Sequence, residues 1–335
     1  MRYIKIIHGL PGFSRVALGT DYYGKTIPED LAHRFLDIYA GEGGNIIDTA
    51  HVYSDYLPGE KHMSEKVIGR WLRRNGNNGS RPMIATKGGF PEIGNMHASR
   101  ISKEQIGEDL RESLECLGVA QIDLYWLHRD DPAVPAEEIV NWMELFKKQG
   151  LFKCWGVSNW RTCRIREALD YSRRSGVRGP ECSQIKWSLA DQTPGSDGDD
   201  TLVIMDREEY RWYADNDFPV FAYSAQAKGF FSKLRRASDD ISGECGFIRP
   251  AGKAGVRYFN RNNLDKFEEI EQISASTGLS VAQVALAWMT QPRAVRTVPV
   301  IGAGSEEQLR ESLTGAGTLI EAKIRKKYRI FSEYC

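Results

Sequence analysis

NIIDTAHVY, at residues 45–53, is a short apolar strand pattern that ends in polar and titratable residues. The same pattern recurs in MIATK at residues 83–87 and in LYWLH at residues 124–128. Strands that are apolar on both faces are typical of parallel sheets covered by helices. The chain therefore has the pattern of a parallel α/β protein.

Eight strand patterns alternate with helix patterns along the chain. The predicted strands are Val16–Thr20, Asn45–Thr49, Met83–Lys87, Ile122–His128, Lys153–Val157, Cys182–Lys186, Pro219–Tyr223 and Thr297–Ile301. The predicted helices are Pro28–Ala40, Met63–Arg74, Lys103–Leu117, Ala136–Lys148, Cys163–Ser175, Arg207–Ala214, Val281–Thr290 and Glu306–Leu313. This alternation predicts an α/β fold, a (β/α)8 TIM barrel, with residues 1–335 as one domain, a long loop after strand 7 and C-terminal helices.

Composition excludes several functional classes. The 335 residues carry 45 Lys plus Arg against 45 Asp plus Glu, so no net charge attracts nucleic acid or an anionic membrane. No apolar run has the length of a membrane span or a signal peptide, and the six cysteines form no CxxC pair. We expect a cytoplasmic protein with reduced cysteines, and its oligomeric state stays open.

Four titratable residues follow three consecutive strands: Asp48 and Tyr53, then Lys87, then His128. Singly, each has an ordinary structural interpretation as a turn cap, a rim aromatic, a surface charge or a core histidine. Together they lie where a parallel barrel has its active site, at the carboxyl ends of the strands.

These four groups suit proton transfer to a carbonyl oxygen. Lys87 ends an apolar strand, where its charge is costly unless a neighbour such as Asp48 neutralises it. An adjacent ammonium favours the phenolate, so we expect Lys87 to lower the pKa of Tyr53 from about 10 and make it a general acid. We expect His128 to orient the substrate oxygen.

Reduction of a carbonyl also needs a hydride source, which no side chain supplies. The chain has no Rossmann or Walker motif, because GAGSEE at residues 302–307 lacks the third glycine. The stretch Gln226–Arg261 carries eight Lys or Arg against three acids, which suggests a cover for an anionic ligand such as a dinucleotide diphosphate. A solvated charged loop is an equal alternative.

A set of ordered motifs resembles the aldo-keto reductases over nearly the whole chain. The matching segments are NIIDTAHVYSD, SEKVIGRWL, IATKGG, LYWLHRDD, GVSNW, SQIKW, FAYSAQAKGFF, VALAW and VPVIGAGSEEQLRES. The resemblance implies that Asp48, Tyr53, Lys87 and His128 are the catalytic tetrad. It further implies that an NAD(P) cofactor lies extended across the barrel mouth.

The resemblance also implies roles in cofactor binding. Ser158, Asn159 and Gln184 would hold the carboxamide, Tyr223 would stack on the nicotinamide, residues 224–229 would follow the pyrophosphate, and residues 302–312 would receive the adenosine. The expected cofactor residues are Gly19, Thr20, Asp48, Ser158, Asn159, Gln184, Tyr223, Ser224, Ala225, Gln226, Gly229, Gly302, Ser305, Gln308, Glu311 and Ser312.

Cofactor choice is less defined, because the GAGSEEQ loop lacks the Lys or Arg that often meets a 2′-phosphate, although Arg310 follows it. By resemblance we expect NADP(H), with NAD(H) possible. The expected substrate residues are Asp21, Tyr23, Val52, Arg129, Trp160 and Trp187. Their mixture of aromatic and charged groups suits a polyhydroxylated or acidic carbonyl compound, unless Asp21 and Arg129 pair with each other or face solvent.

The sequence thus predicts an NAD(P)H-dependent reductase of aldehydes or ketones. The alternatives are a slowly turning over, cofactor-bound redox-sensing regulatory subunit and a Schiff-base enzyme with Lys87 as nucleophile. The acidic loop at residues 193–200 is expected to be solvated surface. The six histidines show no metal-binding spacing, so no metal is expected.

Overall fold

In the computed structural model, residues 1–75, 81–237 and 245–331 are described. The strands are β1 (Tyr3–Ile4), β2 (Phe13–Ser14), β3 (Ala17–Gly19), β4 (Ile46–Asp48), β5 (Met83–Gly88), β6 (Ile122–Leu127), β7 (Phe152–Ser158), β8 (Ser183–Lys186), β9 (Val220–Tyr223), β10 (Arg235–Arg236), β11 (Phe247–Ile248) and β12 (Thr297–Ile301). The helices are α1 (Glu29–Gly41), α2 (Met63–Asn75), α3 (Lys103–Leu117), α4 (Ala136–Lys148), α5 (Thr162–Ser175), α6 (Arg207–Asp215), α7 (Phe230–Lys233), α8 (Gly252–Tyr258), α9 (Arg261–Thr277), α10 (Val281–Thr290), α11 (Glu306–Gly317) and α12 (Ala322–Lys327).

Eight parallel strands close into a barrel in the order β12-β3-β4-β5-β6-β7-β8-β9. These are the eight predicted strands, so the predicted (β/α)8 barrel is confirmed. Strands β4, β5 and β6 are buried along their whole length, as expected for strands that have a packed barrel on one face and helices on the other. Each observed strand end lies within one residue of the predicted one.

A hairpin that the sequence analysis did not identify covers one end of the barrel. Strands β1 and β2 pair antiparallel through Tyr3 with Ser14 and Ile4 with Phe13. The buried side chains of Ile7 and Phe13 join an inner cluster that also contains Phe221 from β9. The apolar hairpin therefore extends the barrel core below the strands.

Helix ends follow their capping residues. The Ser102 side chain accepts from the backbone of Gln105 at the start of α3, and Ser280 forms a complete capping box with Gln283 at the start of α10. Helix α9 is not among the predicted helices, because the polar residues of its first turn are typical of a loop, although Asn260 caps it. Among the described helices, none combines the length and apolar character that a membrane crossing requires.

The stretch after β9 is more ordered than a plain loop. It contains α7, β10, β11 and α8, and Phe230, Phe231, Phe247 and Tyr258 are buried in the main core. The three acidic residues of this stretch, Asp239, Asp240 and Glu244, lie outside the described residues. Aromatic packing thus fixes the segment against the barrel.

Candidate active site

Lys87 forms the centre of a buried polar cluster at the carboxyl ends of β4 and β5. Its Nζ donates to Asp48 Oδ2 at 2.6 Å, to the Thr49 carbonyl at 2.7 Å and to Tyr53 Oη at 3.0 Å. An ammonium has three N–H donors, so all of them have acceptors. The Lys87 and Asp48 side chains are 0% and 1% exposed, which makes this a fully desolvated ion pair.

The arrangement brings the four predicted catalytic residues together. The Tyr53 and His128 rings meet edge to face with centroids 5.8 Å apart, and Lys87 Nζ lies 4.5 Å from the centroid of the Tyr53 ring. Lys87 in β5 pairs with Trp126 in β6, and the backbone N–H of His128, just past the end of β6, donates to the Gly88 carbonyl at 2.9 Å, so the parallel register brings His128 to the same barrel edge as Lys87. One side of the barrel mouth therefore holds two ring systems and one ion pair.

The pKa of Tyr53 differs from our expectation. Burial, followed by the nearby Asp48 carboxylate, raises the pKa of Tyr53 well above 10, where we expected Lys87 to lower it. The physical reason is that Asp48 already neutralises Lys87, so desolvation of the phenolate dominates. Tyr53 is thus a protonated phenol at neutral pH, with an ammonium in contact with its oxygen.

His128 is a neutral imidazole in this site. Burial and the charge of Arg129 hold the pKa of His128 well below 6.5. Its Nδ1 is buried and has no hydrogen-bond partner among the described residues. Phe90 packs on the His128 ring with centroids 4.8 Å apart, a support that the sequence analysis missed.

Gln184 and Asn159, which are expected to bind the cofactor, are hydrogen-bonded to neighbouring side chains of the site. Gln184 Nε2 donates to Asp48 Oδ1 at 2.9 Å. Asn159 Oδ1 accepts from the Tyr223 hydroxyl at 2.8 Å, and Asn159 Nδ2 donates to Ser158 Oγ at 3.1 Å. The tetrad, Asn159, Ser158 and Tyr223 thus form a continuous polar surface across the mouth.

The sequence model of the Aldo/keto reductase family matches residues 15–323. The chain belongs to this family. A crystal structure of a thermostable aldo-keto reductase, Tm1743, in complex with the inhibitor epalrestat, is similar in fold, with a TM-score of 0.70, 21% identity and coverage of 99% of both chains. Family membership makes the chain an oxidoreductase of carbonyl compounds in a family that generally uses nicotinamide cofactors.

In this aldo/keto reductase, the two segments expected to follow the cofactor are joined by a side-chain bond. Gln226 Nε2 donates to Ser312 Oγ at 2.8 Å, which ties the turn after β9 to α11. Within the turn, Ser224, Ala227 and Lys228 have positive φ, an uncommon conformation for residues other than glycine. Gly229 also has positive φ.

The remaining expected cofactor residues lie at strand ends and around the start of α11. Ser305 caps α11 by accepting from the Gln308 backbone, and Gln308 Oε1 accepts from the Gly304 backbone. Glu311 Oε1 accepts from the Ser280 hydroxyl at 2.5 Å. Gly19 ends β3, the Thr20 hydroxyl donates to the Asp48 carbonyl, Ala225 is buried, and Gly302 follows β12.

Three cations of the stretch after β9 collect near the mouth. Burial lowers the pKa of Lys228, and repulsion from Arg257 and Lys253 contributes in the same direction, whereas attraction by Asp21 opposes it. Three of the eight predicted cations therefore interact with one another near Asp21 and Asp197, whereas Arg236 and Arg261 pair with Glu271 and Asp265 instead.

That acidic loop is bound to the barrel, contrary to the expectation of solvated surface. Asp197, with a side chain only 6% exposed, accepts from Lys186 at 2.6 Å and from Arg257 at 2.9 Å. Asp199 pairs with Arg129 at 3.3 Å. The loop is held because its carboxylates neutralise buried cations whose positions depend on the folded barrel.

The predicted substrate residues divide into two groups. Tyr23, Trp160 and Trp187 are at most 3% exposed and pack in the core, with Trp187 also lining a cleft of about 510 Å³ beside the mouth. Val52 is buried at the edge of the site. The two charged members do not pair with each other, because Asp21 accepts from the Tyr56 hydroxyl and Arg129 pairs with Asp199. Arg129 is thus ion-paired within the protein, whereas the Asp21 carboxyl group is hydrogen-bonded to a phenol.

A cluster of potential metal ligands, which the spacing of histidines in the sequence does not reveal, lies beside this site. His51, His62 and Glu112 each offer a ligand atom, and these atoms all lie within 4.8 Å of one another. The three residues are too far apart in the chain to form a recognisable motif, so only the packing of α3 against the loop after β4 could reveal them.

Proposed function

We propose that the protein reduces an aldehyde or ketone to an alcohol with NAD(P)H, and that Tyr53 is the proton donor. The observation that carries this proposal is the contact of one buried ammonium, that of Lys87, with both Asp48 and Tyr53. This contact places the Lys87 charge next to Tyr53, where it stabilises the phenolate that forms when the proton leaves. We further propose that the whole chain acts as one domain.

The proton moves from Tyr53 Oη to the carbonyl oxygen of the substrate. As the O–H bond breaks, negative charge develops on Oη, and the Lys87 N–H that already contacts this atom at 3.0 Å stabilises it. Because the pKa of Tyr53 is raised by burial, the phenol keeps its proton until the substrate oxygen gains charge. Bound cofactor supplies the hydride to the carbonyl carbon, which completes the alcohol.

His128 orients the substrate oxygen. A neutral imidazole donates one N–H bond without placing a full positive charge beside Lys87. The lowered pKa of His128 keeps the ring in this form at neutral pH. Because the His128 and Tyr53 rings lie side by side, the carbonyl oxygen would bind between them, within reach of both.

Residues around the mouth fit a nicotinamide dinucleotide. The half-buried Tyr223 ring is held by its hydroxyl bond to Asn159, which leaves the ring as a stacking surface. Ser158 Oγ accepts from Asn159 and can still donate its own hydrogen to a carboxamide oxygen. Lys228 and Lys253, beside the Asp197-paired Arg257, supply positive charge that would favour a bound diphosphate.

We propose NADP(H) as the cofactor, with NAD(H) as the alternative. Two arginines lie near the start of α11: Arg34 of α1 pairs with Glu306 at 2.7 Å, and Arg310, on α11 itself, lies 3.7 Å from Glu42. Both pairs are largely exposed and therefore exchangeable, so either arginine can meet a 2′-phosphate. If NADP(H) is bound this way, Arg34→Ala or Arg310→Ala should weaken NADPH binding at least threefold and leave NADH binding unchanged in parallel fluorescence titrations.

The central experiment compares wild type with Tyr53→Phe. We expect the wild type to oxidise NADPH or NADH in the presence of small aldehydes, and the variant to lose about 10²- to 10⁴-fold in kcat while its nucleotide affinity is kept. Tyr3→Phe is the matched control, because the Tyr3 hydroxyl bonds the distant Gly43 carbonyl. Tight nucleotide binding with negligible wild-type turnover would instead favour the regulatory-subunit alternative.

The Schiff-base alternative requires a free amine at Lys87. All three of its donors have acceptors, and Asp48 stabilises the ammonium form, which has no lone pair for attack on a carbonyl. We therefore expect borohydride to trap no substrate on Lys87. Covalent labelling of Lys87 would contradict the reductase proposal.

A further inference from the structure

A second group of chemically active side chains lies outside the catalytic tetrad. His51 follows β4 in the loop that carries Tyr53, His62 immediately precedes α2, and Glu112 lies on α3. The proposed reaction uses none of the three. Their positions on three separate segments mean that one bound ion would connect all of them.

The geometry of the three ligand atoms is close to that of a metal site. His51 Nε2 and Glu112 Oε2 share a hydrogen bond of 2.6 Å, whose proton a bound ion would displace, and His62 Nε2 lies 3.8 Å from the same oxygen. Around a tetrahedral zinc ion with bonds of about 2.0–2.2 Å, ligand atoms lie roughly 3.4 Å apart. Shifts of less than about 1 Å in exposed parts of these side chains would reach that spacing.

The ring of His62 is already oriented for coordination. Its Nδ1 lies 2.8 Å from the His51 carbonyl oxygen, so Nδ1 carries a hydrogen and Nε2 is the nitrogen left to face an ion. This is the pattern in which a second partner fixes the tautomer of a metal-binding histidine. The two imidazoles also stack, with centroids 4.0 Å apart, so they are held side by side before any ion arrives.

Further carboxylates surround the two imidazoles. Asp55 Oδ2 lies 3.3 Å from His62 Nδ1, and Asp109 Oδ1 lies 3.8 Å from His51 Nδ1. Arg100 neutralises Asp109 at 2.5 Å. Asp55 and Glu112 therefore supply the negative charge that favours a cation at this site. The Glu112 side chain is 48% exposed, so an ion and a water ligand have access from solvent.

We propose that His51, His62 and Glu112 bind one divalent transition-metal ion of the zinc class, with water in the fourth position. Two imidazoles and one carboxylate suit Zn²⁺, Co²⁺ or Ni²⁺, whereas Mg²⁺ and Ca²⁺ prefer oxygen ligands alone. This site is independent of the reductase proposal.

The ion would fasten the loop that carries Tyr53 to α3. The backbone N–H of His51 donates to the Lys87 carbonyl at 3.0 Å, so the metal ligands and the catalytic strand share a backbone contact. Ligands on both sides of Tyr53 restrain the segment between them. Metal binding therefore stabilises the folded chain, since an ion that binds only the folded state raises its stability.

The test uses tag-free, EDTA-treated protein, in which the exposed thiols of Cys163 and Cys245 have been alkylated. We expect calorimetric titration with Zn²⁺ at neutral pH to give one site, and Co²⁺ to give visible absorption bands of a low-coordinate nitrogen and oxygen site. His62→Ala and Glu112→Gln should each weaken Zn²⁺ binding at least tenfold. His97→Ala is the control, because His97 is exposed and pairs with Asp200 instead.

Each outcome decides the proposal. The proposal is supported if His97→Ala keeps Zn²⁺ binding and both ligand variants lose it. It is also supported if Zn²⁺ raises the melting temperature of wild type but not that of Glu112→Gln. The exposed position of Glu112 makes that variant a safe test if His62→Ala fails to fold. Absence of saturable binding up to millimolar Zn²⁺, or equal affinity in wild type and both ligand variants, overturns it. Either negative result leaves turnover through Tyr53 unaffected.

Discussion

Replacing Asp48 by Asn removes the charge that keeps Lys87 in a dry site. Asp48 and Lys87 are almost completely buried and their charged atoms are 2.6 Å apart. Breaking a buried ion pair by removing one partner costs about 3–5 kcal/mol, because the other charge is left uncompensated. That is a large part of the total stability of a domain, which is about 5–15 kcal/mol.

A double-mutant cycle separates this charge effect from loss of packing. Lys87→Met removes the buried ammonium, so Asp48→Asn in that background leaves no unpaired charge in the core. We expect the double variant to be more stable than the sum of the two single effects predicts, by about 2 kcal/mol or more. Urea unfolding followed by tryptophan fluorescence measures each corner of the cycle.

The pH dependence gives an independent check with a defined sign. Burial lowers the pKa of Lys87, and attraction by Asp48 opposes that shift. Without Asp48, the folded chain binds fewer protons than the unfolded chain over a wider pH range, so stability should rise with pH. We expect Asp48→Asn to recover part of its lost stability between pH 7 and pH 9 relative to wild type. Additive effects within about 0.5 kcal/mol, together with a pH-independent loss, would refute the reasoning.

Three further predictions concern other parts of the molecule. The folded-state pKa of His128 lies well below 6.5, so below that pH the unfolded chain binds a proton that the folded chain does not, and wild type loses stability. His128→Gln lacks this loss, so the difference in unfolding free energy between wild type and variant should shrink as the pH falls below 6.5. An equal difference at pH 7.5 and 5.5 would contradict this. Asp197→Asn should speed proteolysis of the loop at residues 193–200 at least threefold, measured by mass spectrometry, whereas the exposed Asp200→Asn should not. Gly69→Ala should destabilise the barrel by about 2 kcal/mol or more in urea, since its Cβ would lie 2.2 Å from the Cys116 carbonyl oxygen; a neutral result would show that α2 and α3 can separate freely.

Most of the architecture could be predicted because it depends on local periodicity. The strands β5 and β12 and the helices α3, α4 and α10 begin within one residue of their predicted starts. Helix α9 and the hairpin of β1 and β2 escaped prediction. Both are stabilised by contacts with distant parts of the barrel, which short-range patterns do not contain.

The cluster of Asp48, Tyr53, Lys87 and His128 is likewise only partly predictable from the sequence. That Asp48, Lys87 and His128 meet at one mouth follows from their position at the ends of neighbouring parallel strands, which any reader of the sequence can recognise. The protonated state of Tyr53 does not follow, because it depends on burial and on the charge that Asp48 has already neutralised. Burial of that kind is a property of the assembled site.

The amino-acid sequence by itself determined the barrel, the cluster of Asp48, Tyr53, Lys87 and His128, and the positive stretch after β9, since each depends on adjacent or regularly spaced residues. Only the tertiary structure decided which side chains meet: Asp197 with Lys186, Arg129 with Asp199, and His51 with Glu112, which is 61 residues away in the chain. The physical reason is that hydrophobic periodicity acts over a few residues, whereas ion pairs and ligand clusters depend on how whole helices and loops pack.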